Sequence, residues 1–510
     1  MSTTTQARTE GPASLSMLPR KLKERIAAEL DDLGLYLDDD AWEDASSSST
    51  IAPDESEGGQ PEDDEADDDE FVLVGSPDDQ RVSTLAAVSL VNKEWNEIVS
   101  QYLWEDLQLY PRSTEALLQL ATDILPRHAA HVKTLGIREM PYDRLLEGAD
   151  AEDAPPAAEG RALEVVEAVE RLTGSSAPNA GDWELCQLAA RNGLLAHIVR
   201  VCSNVKGLEL EGGMRIFRRL HASQDGAGLE PIEVTEAELP NVALQAVQSI
   251  GGNIETLSLL LPLAGSVTER DVANLILFFP NLKHLELNVF IEPKDALSSA
   301  DRLEHEALYT AIAGLQHLEE LDLGQSTFVD DAISEFVFAC PLKHLALGEH
   351  PKLSFRAFKT FVERFSGTLE ALELDNTPTA LPEGIDEPLA LPKLIALELA
   401  TMLDASVFTL FAASPLREVY IRESPQLTAR DVIVFLEAHA ETLEAVDVEA
   451  DGLAASEERS DGAVQDAEEV VGEWCEEHGI KFAVIESEGL GEFDLASDSD
   501  EEEAEQDADE

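Results

Sequence analysis

The chain has 510 residues, of which 44% are hydrophobic, and its 104 acidic and 35 basic residues give a formal net charge of −69 at pH 7. This charge excludes nucleic acid as an expected partner, because contacts to phosphate need Lys and Arg side chains that displace counterions. The length predicts two to four domains, and the apolar content predicts that at least one buries a substantial core.

Two segments near the N-terminus carry helical patterns. In residues 14–30, Leu18, Leu22, Ile26 and Leu30 recur every four residues, and Pro19 suits a first helical turn. The apolar side chains of the second segment, residues 83–113, are Leu85, Val88, Leu90, Val91, Trp95, Leu103, Trp104, Leu107 and Leu109. Three helices from these segments would form a core of only about 45 residues, which is marginal without a partner.

The order of these residues, L-P-x-x-L-x-x-x-I-x-x-x-L, then L-x-x-V-S-L-V-N-K-x-W, then L-W-x-x-L-x-L, resembles an F-box. The resemblance implies a helical module at residues 14–110 that docks on a Skp-type adaptor protein. The adaptor-facing residues that it implies are Leu18, Pro19, Leu22, Ile26, Val88, Leu90, Val91 and Trp95. Trp104, Leu107 and Leu109 would instead join the module to the next domain. Alternatively, the three helices only cap that domain.

An acidic stretch separates the two segments. Residues 38–79 hold 18 acidic residues and no basic one. Such a run cannot bury enough surface to offset chain entropy, so residues 38–80 are predicted to be a disordered insert where an F-box has a short loop. Because loop-closure entropy grows slowly with length, the insert would cost only about 1–2 kcal/mol. Halophilic adaptation would spread acidity over the whole surface instead.

Residues 111–194 are predicted to connect this module to the second half of the chain. Residues 147–181, rich in Pro, Ala and Glu, hold one short helical pattern from Leu163 to Leu172, and we interpret them as a linker or loose insertion. The sequence HVKTLGI at residues 131–137 is a candidate for a first, divergent strand of the repeats that follow.

Residues 195–485 contain an internal repeat, an apolar residue, two others, then apolar-x-apolar. It begins at Val205, Ile254, Leu282, Leu318, Leu342, Leu369, Leu394, Leu416 and Leu443. Helical patterns lie between these motifs, as in DDAISEFVFAC, SFRAFKTFVERF and ARDVIVFLEAHA. Because one strand-loop-helix unit cannot bury its apolar face alone, neighbouring units must stack.

The repeats resemble the leucine-rich repeat family. The predicted fold class is therefore an α/β solenoid, a curved array with a parallel sheet inside and helices outside, closed by a strand at residues 480–485. The family usually has Asn or Cys shortly after the last Leu, where this chain has residues such as Pro262, Ser326 and Thr377. The side-chain ladder of the family is therefore not predicted here.

Strand alternation indicates which side chains face the concave sheet surface. The carboxylates at these positions are Glu209, Glu211, Glu286, Glu320, Asp322, Glu373, Asp375, Glu398, Glu418, Asp447 and Glu449, against Arg422 and the histidines His284 and His344. Such a face would attract a Lys/Arg-rich protein, unless its polar residues are only solvated. The candidate target-binding residues are Glu286, Glu320, Asp322, Glu373, Asp375, Glu398, Glu418, Tyr420, Arg422 and Asp447.

The remaining features argue against catalysis and secretion. Residues 486–510 hold 13 acidic residues and no basic one, so a disordered acidic tail is predicted. The histidines form no metal-binding pattern, and no nucleotide-binding or nucleophile motif is present, so no cofactor, metal or catalytic residue is expected. Cys186, Cys202, Cys340 and Cys475 predict buried, reduced thiols, and with no signal or membrane segment they indicate a cytoplasmic or nuclear location.

The combined pattern resembles the F-box/leucine-rich repeat proteins, in the looser form common in fungi. That resemblance implies a non-enzymatic substrate-recognition adaptor of a Skp, cullin, F-box ubiquitin ligase, which presents a protein target for ubiquitin-dependent degradation. The alternative is an acidic scaffold outside any ligase, similar to the leucine-rich acidic nuclear proteins that chaperone histones. A regulator of small GTPases would need polar catalytic residues on the repeat rim, which the sequence does not offer.

Overall fold

The computed structural model describes residues 20–21, 23, 26–27, 88, 90, 92–109, 114–138, 156–174, 183–211, 242–263, 269–291, 299–324, 326–377, 388–401, 405–450, 453 and 466–485. The predicted acidic insert at 38–80 and the predicted acidic tail at 486–510 lie entirely outside these residues. The chain divides into two compact units, Met1–Leu282 (unit 1) and Lys283–Glu510 (unit 2).

Unit 1 begins with a small apolar cluster around helix α1, Lys93–Leu103. The side chain of Asn92 caps the helix by accepting a hydrogen bond from the Trp95 backbone N–H at 3.0 Å. The cluster consists of Ala27, Trp95, Ile98 and Val99, with Ile26, Val88, Tyr102 and Leu103 packed against it. Two segments that the acidic insert separates in sequence therefore share one core.

Four parallel strands pair in chain order in unit 1. They are β1 (Asp106–Leu109), β2 (Thr134–Arg138), β3 (Gly207–Glu211) and β4 (Thr256–Leu263). The segment predicted as a divergent first strand is confirmed as a strand, β2, but β1 precedes it. Leu107 and Leu109, predicted to join the helical module to the solenoid, are buried in β1.

The helices of unit 1 connect these strands. After β1 come α2 (Thr114–Gln119), a π-helical turn (Leu120–Ile124) and α3 (Leu125–His128), then α4 (Pro156–Thr173), α5 (Trp183–Val201), α6 (Val242–Ile250), a 3₁₀ turn (Gly251–Asn253) and α7 (Glu269–Ile276). In the described segments, no helix is long and apolar enough to cross a bilayer.

Within residues 147–181, interpreted as a linker or loose insertion, helix α4 extends well beyond the short helical pattern predicted from Leu163 to Leu172. The helix has 18 residues, Pro156–Thr173, and packs against α5. Its proline lies at the start, where the missing N–H costs no helical hydrogen bond. Val166 and Val169 are buried, so a real apolar face holds the helix in place.

Unit 2 contains eight strands that pair in parallel and in chain order. They are β5 (His284–Ile291), β6 (Glu320–Asp322), β7 (His344–Leu347), β8 (Ala371–Asp375), β9 (Ala396–Ala400), β10 (Glu418–Arg422), β11 (Ala445–Glu449) and β12 (Lys481–Ile485). The nine repeat motifs thus form β3 to β11, and the predicted closing strand forms β12. The solenoid-like arrangement of parallel strands and helices is confirmed.

The helices of unit 2 are α8 (Ser299–Ala313), α9 (Phe355–Glu363), α10 (Ala429–Glu437) and α11 (Ala467–His478), with 3₁₀ turns at Asp331–Glu335 and Ala405–Phe411. The prediction of a helix across DDAISEFVFAC is wrong, because only one short turn forms before the chain becomes extended at Phe336. The repeat that contains it is short, which favours a tight turn over a full helix.

Two buried hydroxyl groups supply a side-chain ladder that the sequence did not predict. Ser326 Oγ donates to the Leu287 carbonyl at 2.5 Å and accepts from the Val289 N–H at 3.1 Å. Thr377 makes the same two bonds to the repeat before it, at 2.5 and 3.1 Å. Each hydroxyl therefore satisfies one backbone donor and one acceptor of the preceding turn, as buried polar groups require.

Candidate functional site

One row of side chains crosses unit 2 at the middle of its strands. The strand registers align Glu286, Asp322, Ala346, Glu373, Glu398, Tyr420 and Asp447 on β5 to β11. We call this row, together with Glu320, Asp375, Glu418 and Arg422 on the same side of the sheet, the acidic sheet face. At a spacing of about 4.8 Å per strand, the row is roughly 29 Å long.

The alternation of each strand orients this face. On β8, Leu372 and Leu374 are buried while Ala371, Glu373 and Asp375 between and beside them are partly exposed. The same pattern holds on β9 and, with more exposed ends, on β10. All ten predicted target-binding residues therefore share one side of the sheet, opposite the leucine core.

Glu373 lies at the centre of the face and is the carboxylate most affected by its surroundings. Burial, together with smaller effects from the neighbouring carboxylates of Glu398 and Asp322, raises its pKa to about 7. The guanidinium of Arg422 acts in the opposite direction with a smaller effect. The centre of the face therefore holds a carboxyl group that is only partly ionised at neutral pH.

Burial also raises the pKa of two other carboxyl groups in the row. For Asp322, the carboxylate of Glu286 adds to the effect of burial, and a hydrogen bond from the Gly324 N–H, at 2.7 Å, opposes it. For Asp447, the carboxylate of Glu418 adds to burial. Each of these groups would gain from a cation that replaces lost solvation.

Some charges on the face already have partners. Arg422 Nε lies 3.0 Å from Glu398 Oε1, and His284 Nδ1 lies 2.5 Å from Glu320 Oε2. Glu449 does not lie on the open face, although strand alternation predicted it there. It is buried, and its carboxylate accepts a hydrogen bond from the Glu423 N–H at 2.8 Å, so it stabilises a strand end instead.

Several basic residues of unit 2 lie at the strand starts and not in the middle row. Lys343 precedes β7 and its Nζ lies 2.5 Å from Glu319 Oε2, while Arg417 precedes β10 and lies 3.3 Å from Glu444. The backbone at these positions also forms hydrogen bonds to the neighbouring repeat. For example, the Lys343 N–H donates to the Glu319 carbonyl at 2.7 Å. Their charges are paired at the sheet edge, which leaves the middle row acidic.

The pKa of Glu373 leads to a stability prediction with a definite sign. Because the folded pKa, about 7, is above the ordinary value of 4.5, the folded state binds more protons than the unfolded state between these values. Stability should therefore fall as the pH rises through this window. We expect Glu373→Gln to raise the stability of unit 2 at pH 8 by about 2 kcal/mol and to change it little at pH 5.

Urea unfolding at both pH values measures this effect, with Glu437→Gln on the exposed surface of α10 as the control. Equal changes at pH 5 and pH 8 would contradict the sign derived for Glu373.

The corresponding carboxylates of unit 1 are bridged by neutral or basic partners. Gln108 on β1 reaches over Gly136 on β2 and donates from Nε2 to Glu209 Oε2 at 2.8 Å. A Cβ at Gly136 would lie 1.7 Å from the Gln108 side chain, so glycine makes this bridge possible. Glu211 pairs with Arg138 at 2.5 Å. These two carboxylates are thus less available to a ligand.

The predicted adaptor-facing residues fall into different environments. Leu90 is 85% exposed, Ile26 and Val88 are half-buried, and Trp95 is only 1% exposed. Trp95 therefore lies inside the core and holds it together instead of presenting its ring to an adaptor. The other predicted residues, Leu18, Pro19, Leu22 and Val91, lie outside the described residues.

Lys23 connects the first segment to the second through two contacts of its buried side chain. Its side chain is buried, Nζ lies 2.5 Å from Glu94 Oε2, and the same atom is 5.8 Å from the centre of the Trp95 ring. These contacts connect the first segment to α1 and add to the apolar packing. The two partners are 71 residues apart, so no local spacing could have identified the pair.

An aromatic stack lies at the junction between the helical cluster and the first strand. Trp104 ends α1 and stacks on His128 of α3, with ring centroids 4.7 Å apart. Burial lowers the pKa of His128, which favours the neutral ring in this stack. Trp104 thus lies at the junction where the sequence predicted it.

Within the described ranges, no group of three His, Cys, Asp or Glu side chains could hold a metal ion. Cys202, Cys340 and Cys475 are buried free thiols, and burial raises the pKa of Cys202 and Cys475 to about 11. A thiol with so high a pKa is mostly protonated at neutral pH and is a weak nucleophile.

Comparison with known proteins found no matching family model and no matching curated protein. Among solved structures, the chain is similar to one in the crystal structure of the Rad7 and Elc1 complex in yeast, with 11% sequence identity and a TM-score of 0.31. The similarity covers 77% of this chain and 97% of that chain. Likeness at this level does not indicate a shared function.

Proposed function

We propose that this chain is a non-catalytic substrate-recognition adaptor of a Skp, cullin, F-box ubiquitin ligase, acting in the cytoplasm or nucleus. Its N-terminal helical cluster would dock on a Skp-type adaptor, and the acidic sheet face would bind a Lys/Arg-rich protein target. The observation that carries the proposal is the packing of Ile26 and Ala27 against Trp95, Ile98 and Val99. The two halves of the F-box-like pattern fold together despite the long insert between them.

Leu90 is the described residue best placed to contact an adaptor. Its large apolar side chain is exposed, and it directly precedes the buried part of the cluster around α1. An isolated exposed leucine is common on protein surfaces, but this one lies in the sequence block L-V-N-K-x-W that carries the F-box resemblance. Burying it in a hydrophobic pocket of a partner would contribute about 2 kcal/mol.

The acidic sheet face supports a basic target. Its middle row carries five carboxylates, of Glu286, Asp322, Glu373, Glu398 and Asp447, within one continuous register. An array of one sign on a low-dielectric surface attracts ligands of the opposite sign and increases their rate of association. The partly desolvated carboxyl groups add specificity, because a bound cation would restore their charged form.

Adaptor binding provides the test of the ligase proposal. We expect the full chain to bind a purified Skp-type adaptor and Leu90→Asp to weaken this binding at least tenfold, because a carboxylate would replace the buried apolar contact. Leu277→Asp is the matched control, since Leu277 is also exposed (62%) but lies outside the cluster. Binding is measured by calorimetry, and thermal melting of each variant confirms that it is folded.

Failure of the intact chain to bind the adaptor would contradict the proposal, as would equal binding by Leu90→Asp and the wild type. In that event the second candidate gains support, an acidic leucine-rich scaffold that binds basic proteins such as histones outside a ligase. The acidic sheet face is the observation that favours this candidate. Binding of a basic protein without binding of the adaptor would distinguish it from the ligase adaptor.

A further inference from the structure

Strand β12 has one edge that carries no neighbouring strand in the described part of the chain. On its other side it pairs with β11 in parallel. The Lys481 N–H donates to the Glu444 carbonyl at 3.1 Å, and the Ile485 carbonyl accepts from the Ala450 N–H at 2.7 Å. Both ends of β12 therefore direct their backbone polar groups toward β11.

The alternation of a strand then assigns the open edge. Because Lys481 and Ile485 bond toward β11, Ala483 between them does the same, and Phe482 and Val484 direct their N–H and C=O groups outward. The edge thus offers two donors and two acceptors. A row of such groups is a template for pairing with another strand.

The side chains of β12 are also incompletely covered. Phe482 and Val484 are aligned with Val446 and Val448 of β11, which are fully buried in the core of unit 2. Val484 is nevertheless 47% exposed, and the neighbouring Ile485 is also exposed. The core layer therefore continues to the edge, where Gly472 of α11 lies against the Phe482 ring while Val484 stays partly exposed.

We infer that the edge of β12 pairs with β12 of a second copy of this chain, in antiparallel orientation about a two-fold axis at Ala483. In this register Phe482 exchanges both backbone hydrogen bonds with Val484 of the second copy, and Val484 does so with its Phe482. All four outward donors and acceptors match their counterparts. The two Ala483 residues face each other as a non-hydrogen-bonded pair.

The composition of the strand favours this occupant. Lys481 is the one charged residue in KFAVI, so the strand itself brings no acidic side chain to the axis. The antiparallel register places Lys481 beside Ile485 of the second copy and covers Val484 with Phe482. Since five-residue strands bury less area than a standard interface, association should be weak and concentration-dependent. The large negative charge of each chain opposes it at low salt and less so at 0.3 M salt.

Such pairing would join the acidic sheet faces of two copies into one bivalent binding protein. Once one basic segment of a target is bound, a second segment of the same target would reach the other face at an effective concentration set by the spacing of the two faces. This inference does not depend on the ligase proposal, because it rests on the backbone, the exposure and the composition of β12.

Disulfide trapping in the full-length chain tests the register. All variants carry Cys186→Ala, and the other three cysteines are buried. Thiols introduced by Ala483→Cys would face each other across the axis, at a Cα spacing of about 4.5 Å, which lies within the range that disulfides span. Thiols introduced by Lys481→Cys would lie about 13 Å apart, four residues along an antiparallel pair. We expect at least tenfold more covalent dimer from Ala483→Cys at 0.3 M salt.

Sedimentation equilibrium of the wild type should show reversible dimers, and Val484→Lys should abolish them. The control is Val434→Lys, the same substitution at an exposed valine on α10, which should leave the dimers unchanged. A wild type that stays monomeric at all concentrations would overturn the inference. Amide protection at Phe482 and Val484 in a monomer would overturn it too, because another segment of the same chain would then cover the edge. Equal trapping at positions 481 and 483 would contradict the register.

Discussion

Replacing Trp95 with alanine is expected to destabilise the N-terminal cluster by about 3–5 kcal/mol, the usual cost of removing a fully buried aromatic side chain. Trp95 is 1% exposed and is the largest member of a core whose other fully buried members are Ala27, Ile98 and Val99. A core this small has little stability to lose. We therefore expect the segment around α1 to unfold while the strands of unit 2 stay folded.

Hydrogen exchange read by mass spectrometry measures this separation, because it reports α1 and β5 to β12 independently. Trp95→Phe is the conservative control and should retain most of the protection. Lys23→Met tests the ion pair to Glu94 while keeping the packing of the long side chain. Unchanged exchange of α1 in Trp95→Ala would show that the cluster is not the core described here. Loss of protection throughout the chain would contradict the independence of unit 2.

This cluster also shows which features a sequence cannot supply. The apolar pattern in residues 14–30 placed Ile26 on an apolar helix stripe, because helical spacing is local information, but it did not show that this side chain packs against the cluster around α1. The pairing of Lys23 with Glu94 depends on how two distant segments meet, and Trp95, which was predicted to face an adaptor, lies in the core. Only the packing of both segments distinguishes these two roles.

The repeats were predictable for the opposite reason. Each motif specifies its own strand, and the period of two places leucines on one side and polar residues on the other, as in Leu372, Glu373 and Leu374. Strand β1 was missed because its short DLQL sequence carries no full motif and follows directly on α1. Helix α4 was underestimated because its first turns contain Pro, Ala and Gly residues that are common in linkers.

The acidic sheet face was predicted in its composition but not in its energetics. Alternation placed the ten candidate residues on one side of the sheet, and the strand registers agree. The raised pKa of Glu373 depends on Glu398 and Asp322, which come from neighbouring strands and from burial that no sequence pattern reports. The inward role of Glu449 likewise depends on the backbone of Glu423 on another turn.

Reversing two charges in the middle row is expected to weaken binding of a basic ligand by about 2–3 kcal/mol, a loss of affinity of about 30- to 150-fold. The variant is Glu373→Lys combined with Asp447→Lys. Burial is the main cause that raises the pKa of each of these two carboxyl groups. Neither group belongs to the ion pair of Arg422 with Glu398, so the substitutions leave both members of that pair in place. The probe is a fluorescein-labelled nona-arginine peptide, measured by fluorescence anisotropy in 50 mM salt.

The matched control is Glu437→Lys combined with Glu441→Lys, which introduces the same two lysines at exposed positions of and just after α10. Because long-range attraction depends on total charge, the control should lose only a few-fold in affinity, and this loss should disappear at 0.3 M salt. A specific site on the acidic sheet face requires the larger loss to persist at that salt concentration. Equal losses in both variants would show that the peptide responds only to the overall charge of the chain.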